Sequence, residues 1–535
     1  MARSDVRLGT AKIAEEMKPG RLAYPVLGIL ALLVLLPMAG LIAVGSFAAD
    51  PGELAFWQSK YIRRVLVFSM WQALLSSLLS VSLALLVARA LAHRGEFMLR
   101  SLLLKLFGLP LVVPSVVAVM GIVSVYGSSG WIPLGSQLYG INGILLAHLF
   151  FNLPLTVRLL LPVWQSIPAQ QWQMAEQLGL NRWQQWRFLE WPALRESLPG
   201  VALLVFMLCL TSFAVVLTLG GGPRSTTLEV AIYQALRFDF DPPRAVILAL
   251  LQLSLCALVA WISSWFHRLP AVEITLSSAT SRPSSQLLNS LIIGIAAVFV
   301  SMPLLAMIID ALNGPLLQVL SNTRVWQSAA ITLVIGLSAA TLSVFAGWLL
   351  LTTSSDLALL GQTRKAGWIE LAGSIVYVVP PLVIGTGLFV LIAPRFDVFD
   401  WAIPIVILIN AMMGLPFVIR SLGPAMRQSK MRYHRLCQSL SLTRWNRFKI
   451  VDWPLLRKPA GLSAALVAAL AMGDLGVIAL FGTPATTTLP LLLYHQLSAY
   501  LIPQAAVTAA FLLLFCLLVF WLLETTIGGK TRAQN

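Results

Sequence analysis

About twelve stretches of this chain are each long and apolar enough to cross a lipid bilayer, and no other property of the sequence narrows its fold as much. They lie near 24–47, 64–92, 101–126, 140–163, 197–220 and 245–266, then 289–311, 327–353, 369–392, 400–424, 460–482 and 502–524. Backbone exposed to lipid must satisfy its own hydrogen bonds, so every stretch is expected to be helical even where Pro or Gly falls inside it. Composition agrees: 11% of the 535 residues are charged and 58% hydrophobic, against roughly 25% charged in a soluble domain. The first stretch follows a basic leader (Arg3, Arg7, Lys12, Lys18, Arg21) and ends near Ser46-Phe47-Ala48, which loosely resembles a cleavage site. It exceeds the about 7–15 apolar residues of a signal peptide, so an uncleaved span is expected.

A net charge of +16 raises nucleic acid as a partner, but the distribution of charge points to membrane topology instead. If both termini are cytoplasmic, the segments on that side hold 27 of the 37 Lys and Arg, the opposite loops hold eight, and Arg158 and Arg420 sit in or near spans. Such a split is the positive-inside pattern. The expectation is a multi-pass protein of a bacterial inner membrane with both termini in the cytoplasm and no nucleic-acid partner. Cys209, Cys256, Cys437 and Cys516 lack metal-ligand spacing, and no disulfide, metal or cofactor is expected.

Shifted by 262 residues, the sequence matches itself. Leu153-Pro154 meets Leu415-Pro416, Arg158 meets Arg420, Arg182-Trp183 meets Arg444-Trp445, and Glu190-Trp191-Pro192 meets Asp452-Trp453-Pro454. Six spans per half make the two halves parallel repeats. The expected fold is all-α, with twelve transmembrane helices in two pseudo-symmetric six-helix halves at 24–266 and 289–524. A cytoplasmic segment is expected at 1–23, a polar linker at 267–288 and a tail at 525–535.

Two connections are long: 164–197 and 425–459, at equivalent places between the fourth and fifth spans of each half. Both read as short amphipathic helices broken by a turn. In the first, Gln173-Met174-Ala175, Gly179 and Leu189-Glu190-Trp191-Pro192 keep a fixed spacing; in the second, Arg435-Leu436-Cys437, Ser441 and Val451-Asp452-Trp453-Pro454 repeat it. This frame resembles the signature of the bacterial ABC importer permeases, Glu-Ala-Ala, three residues, Gly, nine residues, then Ile-x-Leu-Pro. The Glu and first Ala are missing here, and the second copy also lacks the other Ala and the Gly. The resemblance implies coupling helices that dock in clefts of a cytoplasmic ATPase, a helix-in-groove mode with apolar anchors. Leu178, Leu180, Trp183, Leu440, Leu442 and Trp445 are the anchor candidates, with Gln173, Ala175, Pro192 and Pro454 completing the frame. Gly179 suits a tight turn; the same backbone is costlier for Ser441, so a differently shaped second turn is expected. Helices lying on the lipid surface are the competing reading.

The whole chain resembles fused permeases of the thiamine and ferric-iron type. Ser212-Phe213-Ala214, Gly220-Gly221-Gly222-Pro223 and Thr226-Thr227-Leu228-Glu229 look like both; Ala147-His148-Leu149-Phe150-Phe151-Asn152-Leu153-Pro154 and Met472-Gly473-Asp474-Leu475-Gly476 look closer to the thiamine branch. The resemblance implies import of thiamine or its phosphate esters, two copies of an ATPase subunit and a periplasmic binding protein; ferric iron is the alternative substrate.

No catalytic constellation is present, and Gly528-Gly529-Lys530-Thr531 lacks the glycine and strand of a phosphate loop, so the chain is expected to be a transport subunit and not an enzyme. Ionisable or polar residues inside spans are pathway candidates: Asp474 first, then Ser212 and His148. Asp474 also reads as a structural carboxylate bonded across helices. The outer segments 221–243 and 484–500 are expected to meet the binding protein. A proton-coupled carrier is the rival class, but it would have no use for two matched cytoplasmic segments.

Overall fold

A computed structural model of the chain describes residues 23–47, 59–95, 97–265, 286–374 and 378–529. Nearly all of the N-terminal segment, most of the linker and the tail from 530 lie outside the described residues, as do Ala48 and Lys530-Thr531. Every regular element among the described residues is helical. Leaving out pieces of five residues or fewer, these are in chain order α1 (Ala23–Phe47), α2 (Lys60–Arg94), α3 (Arg100–Leu106), α4 (Ser115–Tyr126), α5 (Ile141–Gln165), α6 (Ala169–Gln177), α7 (Trp191–Leu210), α8 (Ala214–Leu219), α9 (Leu228–Arg237) and α10 (Pro242–Ser264). The second half continues with α11 (Gln286–Asn313), α12 (Thr323–Leu359), α13 (Thr363–Ser374), α14 (Pro381–Ile392), α15 (Ala402–Ser439), α16 (Trp453–Met472), α17 (Gly476–Phe481), α18 (Leu489–Ser498) and α19 (Ile502–Gly528).

Among the described residues ten helical stretches are long and apolar enough to span a membrane, and an eleventh counts if one bent pair is a single span. That pair lies where 101–126 was expected to be continuous: Arg100–Leu111 and Ser115–Tyr126 meet at 112°. Pro110 and Pro114 remove backbone donors at this corner, and Pro114 instead caps α4. The matching stretch 369–392 is likewise divided, with Pro380 capping the shorter apolar helix α14. The expected spans 197–220 and 460–482 also break, at 211–213 between α7 and α8 and at 473–475 between α16 and α17.

The chain forms two compact units that do not follow the sequence halves. One holds residues up to Phe47, Trp326–Leu489 and the chain from Leu514; the other holds Ala48–Val325 and Pro490–Leu513. The first span of each half therefore packs with the other half's helices. In one unit Pro37 of α1 lies on Gly387 of α14, where an added Cβ would come within 2.5 Å of the proline ring. In the other, Pro303 of α11 lies on Gly121 of α4, where a Cβ would meet the proline carbonyl at 2.6 Å. These two contacts are equivalent in the repeat. Without a hydrophobic drive between helices in lipid, such close approach over small residues holds spans together.

Helix α2 shows the same logic. Ser69, Gln72, Ala73, Ser76, Ser77 and Ser80 are buried and recur at helical spacing. Ser77 donates to the Ala202 carbonyl of α7 at 2.9 Å, and Gln72 donates to the Cys209 carbonyl at 3.0 Å.

Candidate functional site

The two long cytoplasmic segments turn by the same device. At the end of α6 the Leu180 N–H donates to the Ala175 carbonyl at 3.0 Å and the Gly179 N–H to the Glu176 carbonyl at 3.0 Å. At the end of α15 Leu442 donates to Cys437 at 3.0 Å and Ser441 to Gln438 at 2.9 Å. Both are Schellman turns, which need a left-handed residue after the cap. Gly179 supplies it at φ 64° and Ser441 at φ 46°. The expectation of a differently shaped second turn is corrected: Ser441 takes the left-handed conformation, because the paired hydrogen bonds offset its steric cost of roughly 1–2 kcal/mol.

After each turn a capped helical piece leads into a π-helical turn, Trp186–Glu190 and Phe448–Asp452, at the same shift of 262. Asn181 and Gln184 form a reciprocal capping box, and Thr443 accepts the Asn446 N–H at 3.3 Å. Pro192 and Pro454 then follow directly on the π-turns, as the second residues of α7 and α16.

This geometry sorts the frame residues. Leu178 and Trp183 are 71% and 67% exposed, and Leu440 and Trp445 are 61% and 70% exposed. Gln173 is exposed as well. Leu180 and Leu442 are half-buried and close the turns, while Ala175 and its counterpart Cys437 are buried beneath them. Four further exposed apolar side chains were not anticipated: Met174 with Leu436, and Phe188 with Ile450. Their signal was available, since each pair is apolar at matching repeat positions and Met174 lies one helical turn from Leu178.

The two segments join their spans differently. In the first, Pro168 separates α5 from α6 and caps the new helix. In the second, Lys430 stands in that place and α15 runs for 38 residues through the end of the span to Ser439. The expectation of a separate short helix is therefore corrected for the second copy, because no proline interrupts it.

In the first copy Glu190 is completely buried and gathers four elements. Arg89 of α2 donates to both of its oxygens at 2.8 and 2.9 Å, and Trp164 of α5 donates at 2.9 Å. His93 Nε2 lies 3.3 Å from Oε1 while its ring meets Trp172 of α6 edge-on at 5.5 Å. Arg89 also covers the Trp186 ring at 5.3 Å. In the second copy Asp452 accepts from Ser429 at 3.2 Å and pairs with Arg447 at 3.4 Å. Contact with α12 is aromatic there, Trp348 against Phe448 at 5.4 Å. Lys430 pairs instead with Asp356 of α12 at 2.5 Å and donates to the Thr352 carbonyl at 2.8 Å.

The pathway candidates fall at helix breaks or on buried faces. Asp474 lies in the break between α16 and α17, where it accepts the Gly476 N–H at 3.0 Å and the Asn410 amide at 3.2 Å. Ser212 occupies the matching break between α7 and α8. His148, at the repeat position of Asn410, is buried and shares a 2.9 Å hydrogen bond with Ser76. Close by, the Asn152 amide contacts the Cys209 thiol at 3.1 Å. Asp474 with Asn410 belongs to one unit; His148 and Ser212 belong to the other.

A family model described as the binding-protein-dependent transport system inner membrane component matches residues 80–270. The chain is 42% identical to the thiamine transport system permease protein ThiP of Brucella abortus strain 2308 over 527 residues, 95% of this chain and 96% of the relative. ThiP of Salmonella typhimurium is 41% identical, covering 96% and 98%, and ThiP of Escherichia coli K12 is 41% identical, covering 94% and 96%. This chain belongs to the thiamine transport permease family. It is a multi-pass inner-membrane permease, in keeping with its many apolar helices.

At the opposite end of the spans from the coupling segments, α9 and α18 are short helices within 221–243 and 484–500. Tyr233 of α9 packs edge-on against Phe213 at 5.3 Å and Phe238 at 5.6 Å, and burial, with Tyr494 nearby, pushes its phenol up to about 12. Burial, with Arg237 nearby, holds His495 of α18 below its usual value. Asp241 caps α10, and Asp239 pairs with Arg244 at 3.1 Å. Past each short helix an exposed aromatic takes a left-handed backbone, Phe240 at φ 51° and Tyr500 at φ 58°.

Proposed function

We propose that this chain is the permease subunit of an ATP-driven importer that carries thiamine, and its phosphate esters, from periplasm to cytoplasm, with ATP hydrolysed by separate subunits. The observation that carries the reading is identity of 41–42% to thiamine transport permeases across more than nine-tenths of the chain. Two matched turns, each presenting an exposed leucine and tryptophan, offer two docking points and so two ATPase copies. Leu178, Trp183, Leu440 and Trp445 are the anchors; Gly179 and Ser441 set the turn, and Leu180 and Leu442 brace it. Both termini are then cytoplasmic in this reading, which the distribution of Lys and Arg supports. The outer segments then receive the loaded binding protein. Thiamine carries a cationic ring, and Asp474 offers a carboxylate in a helix break of one unit; Ser212 and His148 are the polar pathway candidates of the other.

Labelled thiamine uptake tests this in cells that lack the chain but keep its ATPase and binding protein. The normal gene should restore uptake, and Leu178→Asp at equal abundance should not. Absence of uptake with the normal gene would discard thiamine and bring ferric iron forward. Full uptake with Leu178→Asp would remove the coupling role from that turn.

A further inference from the structure

Helix α2 is gripped at both ends. Near its C-terminus Arg89 and His93 hold the buried Glu190 of the first coupling segment. Near its N-terminus Ser69, also buried, accepts the N–H of Leu228 at 2.9 Å and donates to the Val65 carbonyl at 2.7 Å. Leu228 opens α9, and its own N-cap residue Thr227 gives no side-chain cap, so α2 supplies the cap of this outer helix. Ser69 and Arg89 are twenty positions apart on one unbroken helix. At 1.5 Å per residue the two grips are about 30 Å apart, the thickness of a bilayer core.

The neighbouring helix α7 completes a frame. It starts directly after Glu190, receives Ser77 along its length at Ala202, and is held at its far end by Gln72 through the Cys209 carbonyl. A pull on the first coupling segment therefore reaches a charge-assisted clamp, then a continuous rod, then the cap of α9. The second copy shares the outer grip: Thr332 of α12 accepts the N–H of Leu489, the first residue of α18, at 2.9 Å. Its inner grip on α12 comes from a different residue, Lys430, which pairs with Asp356 and donates to the Thr352 carbonyl. At the other end Asp452 takes Ser429 and Arg447, and α12 meets the π-turn through rings.

We infer that α2 is the strut that carries ATPase motion from the first coupling segment to the outer helix α9, with Glu190 and Ser69 as its two positioning residues. This rests on the reading that the coupling segments dock on the ATPase. Charge matters at the inner clamp because a buried carboxylate shared by Arg and Trp donors resists displacement better than an apolar contact. At the outer end a hydroxyl is enough, and Thr332 does the same work in the other copy.

The test uses the full complex of this chain with its ATPase in lipid, with Phe240→Cys carrying a thiol-directed spin label just beyond α9. Phe240 is exposed, and the four native cysteines are all buried, so the label reports the added site. The parent should show a change in label mobility when ATP is trapped in the complex. Glu190→Gln and Ser69→Val should each reduce that change at least fivefold while ATP hydrolysis persists, and Ser69→Thr should keep it. Ser69→Val lies at the far end of the strut from the docking face, so its effect cannot come from lost ATPase binding. Equal changes in all four proteins, or no change in a parent that holds its ATPase, would overturn the strut. A parent that fails to retain the ATPase would instead sink the docking reading. The response needs no transported substrate, so thiamine uptake measured in parallel judges the substrate reading alone.

Discussion

The two coupling segments share a docking face and differ in how that face is attached. Both end a helix in a Schellman turn, present one leucine and one tryptophan to solvent, and re-enter the membrane through a π-helical turn. Pro168 makes the first a separate helix, pinned to its spans through Glu190. Lys430 makes the second a stiff extension of a 38-residue helix, braced through Asp356. The repeat thus keeps the surface a partner would read, while the internal charges have been redistributed. Two halves of one polypeptide need not be mechanical equals even when their turns superpose in sequence.

Four pairs of substitutions separate the shared features from the divergent ones. The largest effect on transport is expected at the docking faces. An apolar anchor contributes on the order of 2 kcal/mol to a docked interface, so Leu178→Asp and Leu440→Asp should each weaken ATPase association about 30-fold, and the double variant should lose uptake. If only one of the pair mattered, the faces would not be equivalent. Next, Lys430→Met leaves Asp356 without its cation and should cost about 3 kcal/mol in thermal unfolding in detergent. Pro168→Ala, at the same repeat position, should change stability by no more than about 1 kcal/mol. Gly121→Leu and Gly387→Leu serve as a control where the halves should agree, each losing about 2 kcal/mol to overpacking against Pro303 and Pro37. The smallest effect is at the turns: Ser441→Gly should gain about 1 kcal/mol and Gly179→Ala should lose about as much, because only the former relieves a left-handed side chain.

Much of this was legible in the sequence. The apolar stretches gave the spans, and the fixed spacing from Gly179 to Pro192 and from Ser441 to Pro454 located both segments. Helix breaks were less visible, since Pro110 and Pro114 within an apolar run fit either a kinked span or a corner until packing decides. The exchange of first spans was not legible, because hydropathy fixes that α1 and α11 cross the membrane and says nothing of which glycine Pro37 or Pro303 rests on. Asp474 reads in sequence as a carboxylate inside a span; it lies in a break where backbone N–H groups become free to meet it. Glu190 was visible only as one letter before Trp191-Pro192, for its partners Arg89 and Trp164 come from two other spans.

The account stands on the two turns being where an ATPase is held. Leu178→Cys and Leu440→Cys, each introduced alone, should be joined to the ATPase subunit by a short thiol cross-linker in membranes, since the native thiols are buried. Cross-links at both positions in an active complex are the predicted result. An intact, active complex that cross-links at neither would contradict the account and return these segments to the lipid surface.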